Sequence, residues 1–272
     1  MGSGMDDRLR HMKHLSPRQL EQFQRDGYLV VEDFLPPAEV QRVKVDIDRV
    51  CHERRSMTRD ADGFNLEKAN DDSLDANAEA KRAGMFRKIQ GAVFCIPAVK
   101  EVFASTKMLD CMEDIMGPNI YYHSSKVMFK PANGGAAKPW HQDAAYWKNY
   151  EPSQVTVWIA MDDATEANGC VWAIPGSHKL GLIPHVAKEL QVEESRIDMK
   201  KATPVPVQPG GLLIFHSLVL HMSKKNTSDN NRCAIICDYD CGPNPSIDGK
   251  NEETNADGIW PLRTAKVETV IA

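Results

Sequence analysis

The chain has 272 residues, of which 42% are hydrophobic and 26% charged, enough for one large domain with a substantial core. Its formal net charge of −5 offers no general attraction to nucleic acid or to an anionic membrane, so a small-molecule ligand is the better expectation. Seven cysteines, odd in number and scattered through apolar segments, suit reduced core thiols in a cytoplasmic setting better than a disulfide framework.

In chain order, Met1-Gly2-Ser3-Gly4 reads as an expression scar before Met5. Ser16-Pro17 opens a helical pattern that carries Leu20 and Phe23 and stops at the Asp26-Gly27 turn, and Tyr28-Leu29-Val30-Val31 follows as a short strand. Pro36-Pro37 starts a second helix. Its Val40, Val43, Ile47 and Val50 recur every three to four residues, which gives one buried face. Residues 52–84 are polar and charged with little periodicity, and read either as a cover over a site or as a solvated loop. Helical pieces resume at 97–116.

From residue 120 the character changes. Strand candidates lie at 121–129, 155–161, 170–174, 211–220 and 233–239, separated by Pro/Gly/Asn/Asp turns at 131–135 and 226–231. Helices first and strands later, without alternation, predict an antiparallel jelly-roll or barrel packed by N-terminal helices. Cys233, Cys237 and Cys241 are read as strand-buried thiols and not as a metal site. No apolar run reaches the roughly 18 residues that a membrane span needs.

The chemistry concentrates at Trp140-His141-Gln142-Asp143. His141 and Asp143 are one residue apart, so on an extended segment both side chains leave the same side and converge on one ion. A third ligand is expected from His221, at the end of the apolar run 212–220. His216 competes for that place; in an unbroken strand the two face opposite ways. Two histidines and one carboxylate on one face leave coordination positions open, as non-haem Fe(II) oxygenases require. Arg232, on the returning strand, would share a face with His221 in a regular hairpin. An offset of three to four residues, roughly 10 to 13 Å, then suits a small dicarboxylate that chelates iron at one end and meets the guanidinium at the other.

These residues carry a resemblance. The chain is similar to the phytanoyl-CoA dioxygenase family of Fe(II)/2-oxoglutarate oxygenases, through "QFQRDGYLVVEDFL", "WHQD", "VTVWIAMDDATEANGCVWAIPGSHK" and "GGLLIFHSLVLHMSKKN", followed by Arg232. The resemblance implies a mainly β fold with N-terminal helices around a double-stranded β-helix (jelly-roll, cupin-like) core. It further implies one domain over residues 5–272, helical to about 118, jelly-roll at about 119–240, with a C-terminal extension. By it, His141, Asp143 and His221 hold iron, Arg232 anchors the distal carboxylate of 2-oxoglutarate with Ser223 in support, and Lys88 and Trp158 line the cosubstrate. Lys126, which strand alternation sends the same way as Tyr122, Ser124 and Met128, is grouped with the cosubstrate contacts.

The implied reaction consumes dioxygen and 2-oxoglutarate, releases succinate and carbon dioxide, and hydroxylates a C–H bond. Asp143 occupies the position that related halogenases leave vacant for chloride. Desaturation, cyclisation and epimerisation stay open, as do a non-catalytic iron- or 2-oxoglutarate-binding protein and a zinc hydrolase or isomerase. The mixed face of Tyr122, Ser124, Lys126 and Met128 suggests a small polar or anionic metabolite as substrate, and a coenzyme A thioester is less attractive because Lys224-Lys225 is only a pair and no basic cluster awaits its phosphates. Tyr146, Trp147 and Tyr150 are candidates for the pocket mouth. His178 is read as a structural hydrogen-bonding residue, and His123 and His185, without partners at ligand spacing, as surface or core histidines.

Overall fold

A computed structural model describes residues 12–67, 83–147, 154–186, 190–241 and 260–264. Helix α1, Pro17–Asp26, is capped by a reciprocal pair: the Ser16 hydroxyl accepts from Gln19 N while the Gln19 side chain accepts from Ser16 N. It ends at Gly27, whose φ of 82° lies in the left-handed region. Strand β1, Tyr28–Val31, follows at once. Helix α2, Pro37–Glu53, buries Val40, Val43, Ile47 and Val50, the face that periodicity predicts. Among the described residues, three further helices, α3 (Ala92–Cys95), α4 (Pro97–Phe103) and α5 (Thr106–Met116), join the helical layer.

The described parts of the 52–84 stretch carry more regular structure than the composition suggests. The stretch starts inside α2 and contains β2, Phe64–Leu66, which pairs with β3, Phe86–Gln90. Residues 68–82, the centre of the predicted excursion, lie outside the described residues. Both strands escape a hydrophobicity reading because they are short and because Asn65, Arg87, Lys88 and Gln90 line a cavity.

Strands β4 (Ile120–Lys130), β5 (Lys138–His141), β6 (Val155–Ala160), β7 (Val171–Ala173), β8 (Thr203–Val205), β9 (Leu212–His216), β10 (His221–Ser223), β11 (Arg232–Asp240) and β12 (Trp260–Arg263) make up the rest. The larger sheet runs β1-β9-β6-β11-β4-β3-β2, with β12 also on β4; the smaller runs β5-β10-β7-β8. All pairings are antiparallel. Two such sheets under a helical layer are the expected jelly-roll.

Strand alternation sorts the core. Ile235 and Cys237 of β11, with Val157, Ile159, Leu212 and Ile214, face the helices and pack with Val43 and Ile47. Ala234 and Ile236, with Trp158, Leu213 and Phe215, face the smaller sheet and meet Val171, Ala173 and Val205. All nine residues of β11 are buried, as a central strand covered on both faces must be.

The structure corrects four readings. The 211–220 run is not one strand: it breaks after His216, and His221 starts β10 in the other sheet. Arg232 therefore shares no hairpin with His221. Strand β11 pairs with β4 and β6, and the connection crosses between sheets, as jelly-roll winding requires. Asp143 is not on an extended segment either; β5 ends at His141, and Asp143 opens a single 3-10 turn, Asp143–Tyr146. Finally, the register of β4 slips against β11, so that Asp238 faces Ser124 but Tyr239 faces Tyr122. His123 is the extra residue of this bulge, and it turns Tyr122 to the helix-side core, where its hydroxyl donates to Ser125 Oγ at 2.8 Å.

Candidate active site

Between the sheets lies a cavity of about 420 Å³, within the range of small-molecule sites. Its lining includes every predicted site residue: Lys88, Lys126, His141, Asp143, Trp158, His221, Ser223 and Arg232. Ser124 and Met128 join Lys126 on its β4 wall, as alternation predicts, while Tyr122 does not. Tyr146 and Trp147 also line it; Tyr150 lies outside the described residues.

Within this lining, donor atoms of His141, Asp143 and His221 all lie within 4.8 Å of one another. Strand pairing accounts for the two histidines, which are direct cross-strand partners on β5 and β10. Each Nδ1 faces a backbone carbonyl, Pro139 at 2.8 Å and Val219 at 3.0 Å. A carbonyl only accepts, so each Nδ1 carries the proton and each Nε2 offers a lone pair. Those Nε2 atoms stand 3.6 and 3.7 Å from Asp143 Oδ1. An ion about 2.0 to 2.2 Å from each donor needs separations of about 3 to 4 Å, so the set fits a divalent first-row metal.

The electrostatics suit the same ion. Burial, and then His221 beside it, lower the His141 pKa to about 4, which keeps the imidazole neutral and able to ligate. Burial pushes Asp143 up, but the cationic character of its surroundings, the Lys126 ammonium included, outweighs it and holds the carboxylate ionised, below its ordinary range.

Arg232, in the lining of the same cavity, is 4% exposed, and its guanidinium lies 5.4 Å from the centre of the Trp158 ring. Burial lowers its pKa to about 10, which still leaves it charged. Its Nε has no hydrogen-bond partner. A buried guanidinium nitrogen left without a partner is costly, and a carboxylate entering the cavity would satisfy it. Lys130, the cross-strand partner of Arg232, is pulled down to about 7 by burial and by Arg232. Its amine donates to Ala136 O and Lys224 O, tying the turn after β4 to the residue after Ser223.

Several supporting residues escaped the sequence reading. Gln142, fully buried between the two ligand positions, donates through Nε2 to Gly181 O and Leu218 O and accepts from Ile183 N. Its own N–H donates to His185 Nε2 at 3.0 Å. His185 is thus structural, as expected, but it steadies the His-x-Asp segment. His216 turns away from the cluster to pack its ring 5.7 Å from that of His178. Thr156 and Asp238 also stand behind Asp143. Their signal was visible as two polar residues on apolar strands, "VTVWIA" and "CAIICDYD", but nothing in the chain pairs them.

A jelly roll with two histidines and a carboxylate in the lining of an internal cavity is the architecture of non-haem iron oxygenases. Residues 23–234 match the phytanoyl-CoA dioxygenase (PhyH) family, and the chain belongs to it. It is a 2-oxoglutarate-dependent non-haem iron dioxygenase, with Fe(II), 2-oxoglutarate and dioxygen as its reactive partners. Phytanoyl-CoA dioxygenase domain-containing protein 1 of Bos taurus is 31% identical, across 82% of this chain and 89% of that protein. L-proline trans-4-hydroxylase of Streptomyces griseoviridis is 27% identical, across 79% and 82%. Among solved structures, EctD from S. alaskensis with 2-oxoglutarate and 5-hydroxyectoine shares the fold, with a TM-score of 0.70 and 22% identity over 88% of this chain and 82% of that one. No helix among the described residues is long and apolar enough to cross a membrane.

Proposed function

We propose that the chain is a hydroxylase that inserts oxygen into a C–H bond of a small polar or anionic molecule and releases succinate and carbon dioxide. The observation that carries this reading is the pairing, in one cavity, of the His141/Asp143/His221 cluster with the buried, unanswered Nε of Arg232. In it, the two Nε2 atoms and Asp143 Oδ1 hold the metal, which when bound supplies oxygen activation. Arg232 holds the distal carboxylate of 2-oxoglutarate, with Ser223 beside it and the Trp158 ring against the guanidinium. Lys88 and Lys126 line the cosubstrate space. Support for a polar substrate comes from the remaining wall, where Ser124, Gln90, Lys138 and Tyr146 face the cavity. Among the relatives, a proline hydroxylase and a probable hypophosphite dioxygenase also bear the names of small polar substrates.

Residues 5–272 are further proposed to form one domain, since one face of the larger sheet shares a core with α2 while its other face packs on the smaller sheet. The experiment for the site is an anaerobic titration with Fe(II) and 2-oxoglutarate, following the visible charge-transfer band of the chelate. A band in the wild type that weakens in Asp143→Ala and in Arg232→Ala supports the reading, and iron binding with no band overturns it. Succinate release across a panel of amino acids and small carboxylates then tests the substrate class.

A further inference from the structure

The two oxygens of Asp143 have different surroundings. Oδ1 faces the histidine Nε2 atoms, at 3.6 and 3.7 Å. Oδ2 points the other way and meets the Thr156 hydroxyl at 3.0 Å, inside a fully buried contact. The same hydroxyl lies 2.8 Å from Asp238 Oδ1. A hydroxyl has one proton, and two carboxylates compete for it. Asp238 has other donors: its Oδ2 accepts from Ser124 Oγ at 2.5 Å and lies 3.3 Å from the Lys126 ammonium. The Asp238 carboxylate is thus served at Oδ2 by Ser124 and Lys126, whereas among the described residues Asp143 Oδ2 has no other donor, and on that asymmetry the Thr156 proton is assigned to Asp143.

Register fixes the array. Thr156 and Ser124 both lie opposite Asp238, on the two strands flanking β11, in one row across the sheet. Lys126 is two residues along β4 from Ser124, on the same cavity-facing side. Such a row on three central strands is stiff, and Thr156, β-branched and 1% exposed, has little rotamer freedom.

We propose that Thr156 is a positioning residue that keeps Asp143 presenting one oxygen to the iron, with Asp238, Ser124 and Lys126 holding Thr156 in place. The inference rests on the metal site proposed above. A carboxylate turned so that both oxygens faced the ion would fill one of the positions that the cosubstrate and dioxygen require. Hydrogen bonds to a ligand's free atom also set its orientation and basicity, and their loss typically costs 10- to 100-fold in metal affinity.

The test is Fe(II) binding without oxygen by wild type, Thr156→Val and Thr156→Ser, followed by 2-oxoglutarate and the visible spectrum of each. Thr156→Val keeps shape and removes the hydroxyl; the expected result is a dissociation constant for Fe(II) raised by about 10-fold or more, with a displaced charge-transfer band. Thr156→Ser restores both. Thr156→Ala serves as the second hydroxyl-free variant should the valine protein not fold. Wild-type affinity and an unmoved band in a folded hydroxyl-free variant would overturn the role of Thr156 while leaving the metal site standing. A wild type that binds no Fe(II) would overturn the site and the inference with it.

Discussion

His141 and His221, eighty positions apart in the chain, are direct cross-strand partners, with ring centres 4.1 Å apart. Their convergence is a product of β5 pairing with β10, so each ring is oriented before any ion arrives. His221→Ala removes one Nε2 and is expected to weaken Fe(II) binding by more than about 100-fold, beyond what residues outside the ligand set command. His216→Ala should leave it unchanged, because that ring packs on His178 on the far side of the break between β9 and β10. Chelator competition under nitrogen measures both. Equal losses in the two variants would show that the ligand assignment is mistaken.

Arg232 is the buried charge on which cosubstrate affinity should turn. Truncating one partner of a buried, hydrogen-bonded charge pair costs about 2 to 5 kcal/mol, so Arg232→Ala should raise the 2-oxoglutarate KM roughly 100-fold or more. Arg232→Lys should recover only part of it, since an ammonium lacks the planar fork and the stacking on Trp158. Succinate assays at varied 2-oxoglutarate concentration decide the point, and full recovery by lysine would argue against a bidentate contact.

Gly27 serves the fold twice. Its φ of 82° terminates α1, and a Cβ there would stand 2.3 Å from His178 Nδ1 and 2.7 Å from Val219 Cγ2. Gly27→Ala combines left-handed strain of about 1 to 3 kcal/mol with a clash against His178 and against Val219, two residues ahead of His221. The expected outcome is a clear fall in Tm and in activity at moderate temperature. A variant as stable as wild type would mean that α1 and the 216–220 turn can separate without cost.

The chemistry was more legible than the path that delivers it. His141, Asp143, His221 and Arg232 stand out because ionisable residues interrupt apolar sequence, and α2 is readable because Val40, Val43, Ile47 and Val50 keep helical spacing over a full face. Strand β3 was hidden because Lys88 and Gln90 face a cavity and not a core, so "FRKIQ" shows no hydrophobic strand. Adjacency in the chain suggested a β10–β11 hairpin, whereas burial of all nine residues of β11 demanded a central place in the other sheet. The bulge at His123 and the meeting of Thr156 with Asp238 depend on long-range register, which no local pattern encodes.

His216 also makes stability depend on pH. Its Nδ1 accepts from Leu218 N at 3.1 Å, and burial, followed by the neighbouring His178, lowers its pKa from 6.5 to about 4. Above pH 6.5 both folded and unfolded chains keep this ring neutral. As pH falls below that value, the unfolded chain takes up a proton that the folded one refuses until about pH 4, so stability drops across this window. At pH 5 the expected loss from this ring is at most about 2 kcal/mol. His216→Asn retains an acceptor for Leu218 N but has nothing to titrate, and should lose less Tm than wild type between pH 7 and pH 5. His178, also lowered by burial, keeps the variant from being wholly insensitive. Identical slopes in the two proteins would place the acid sensitivity elsewhere in the fold.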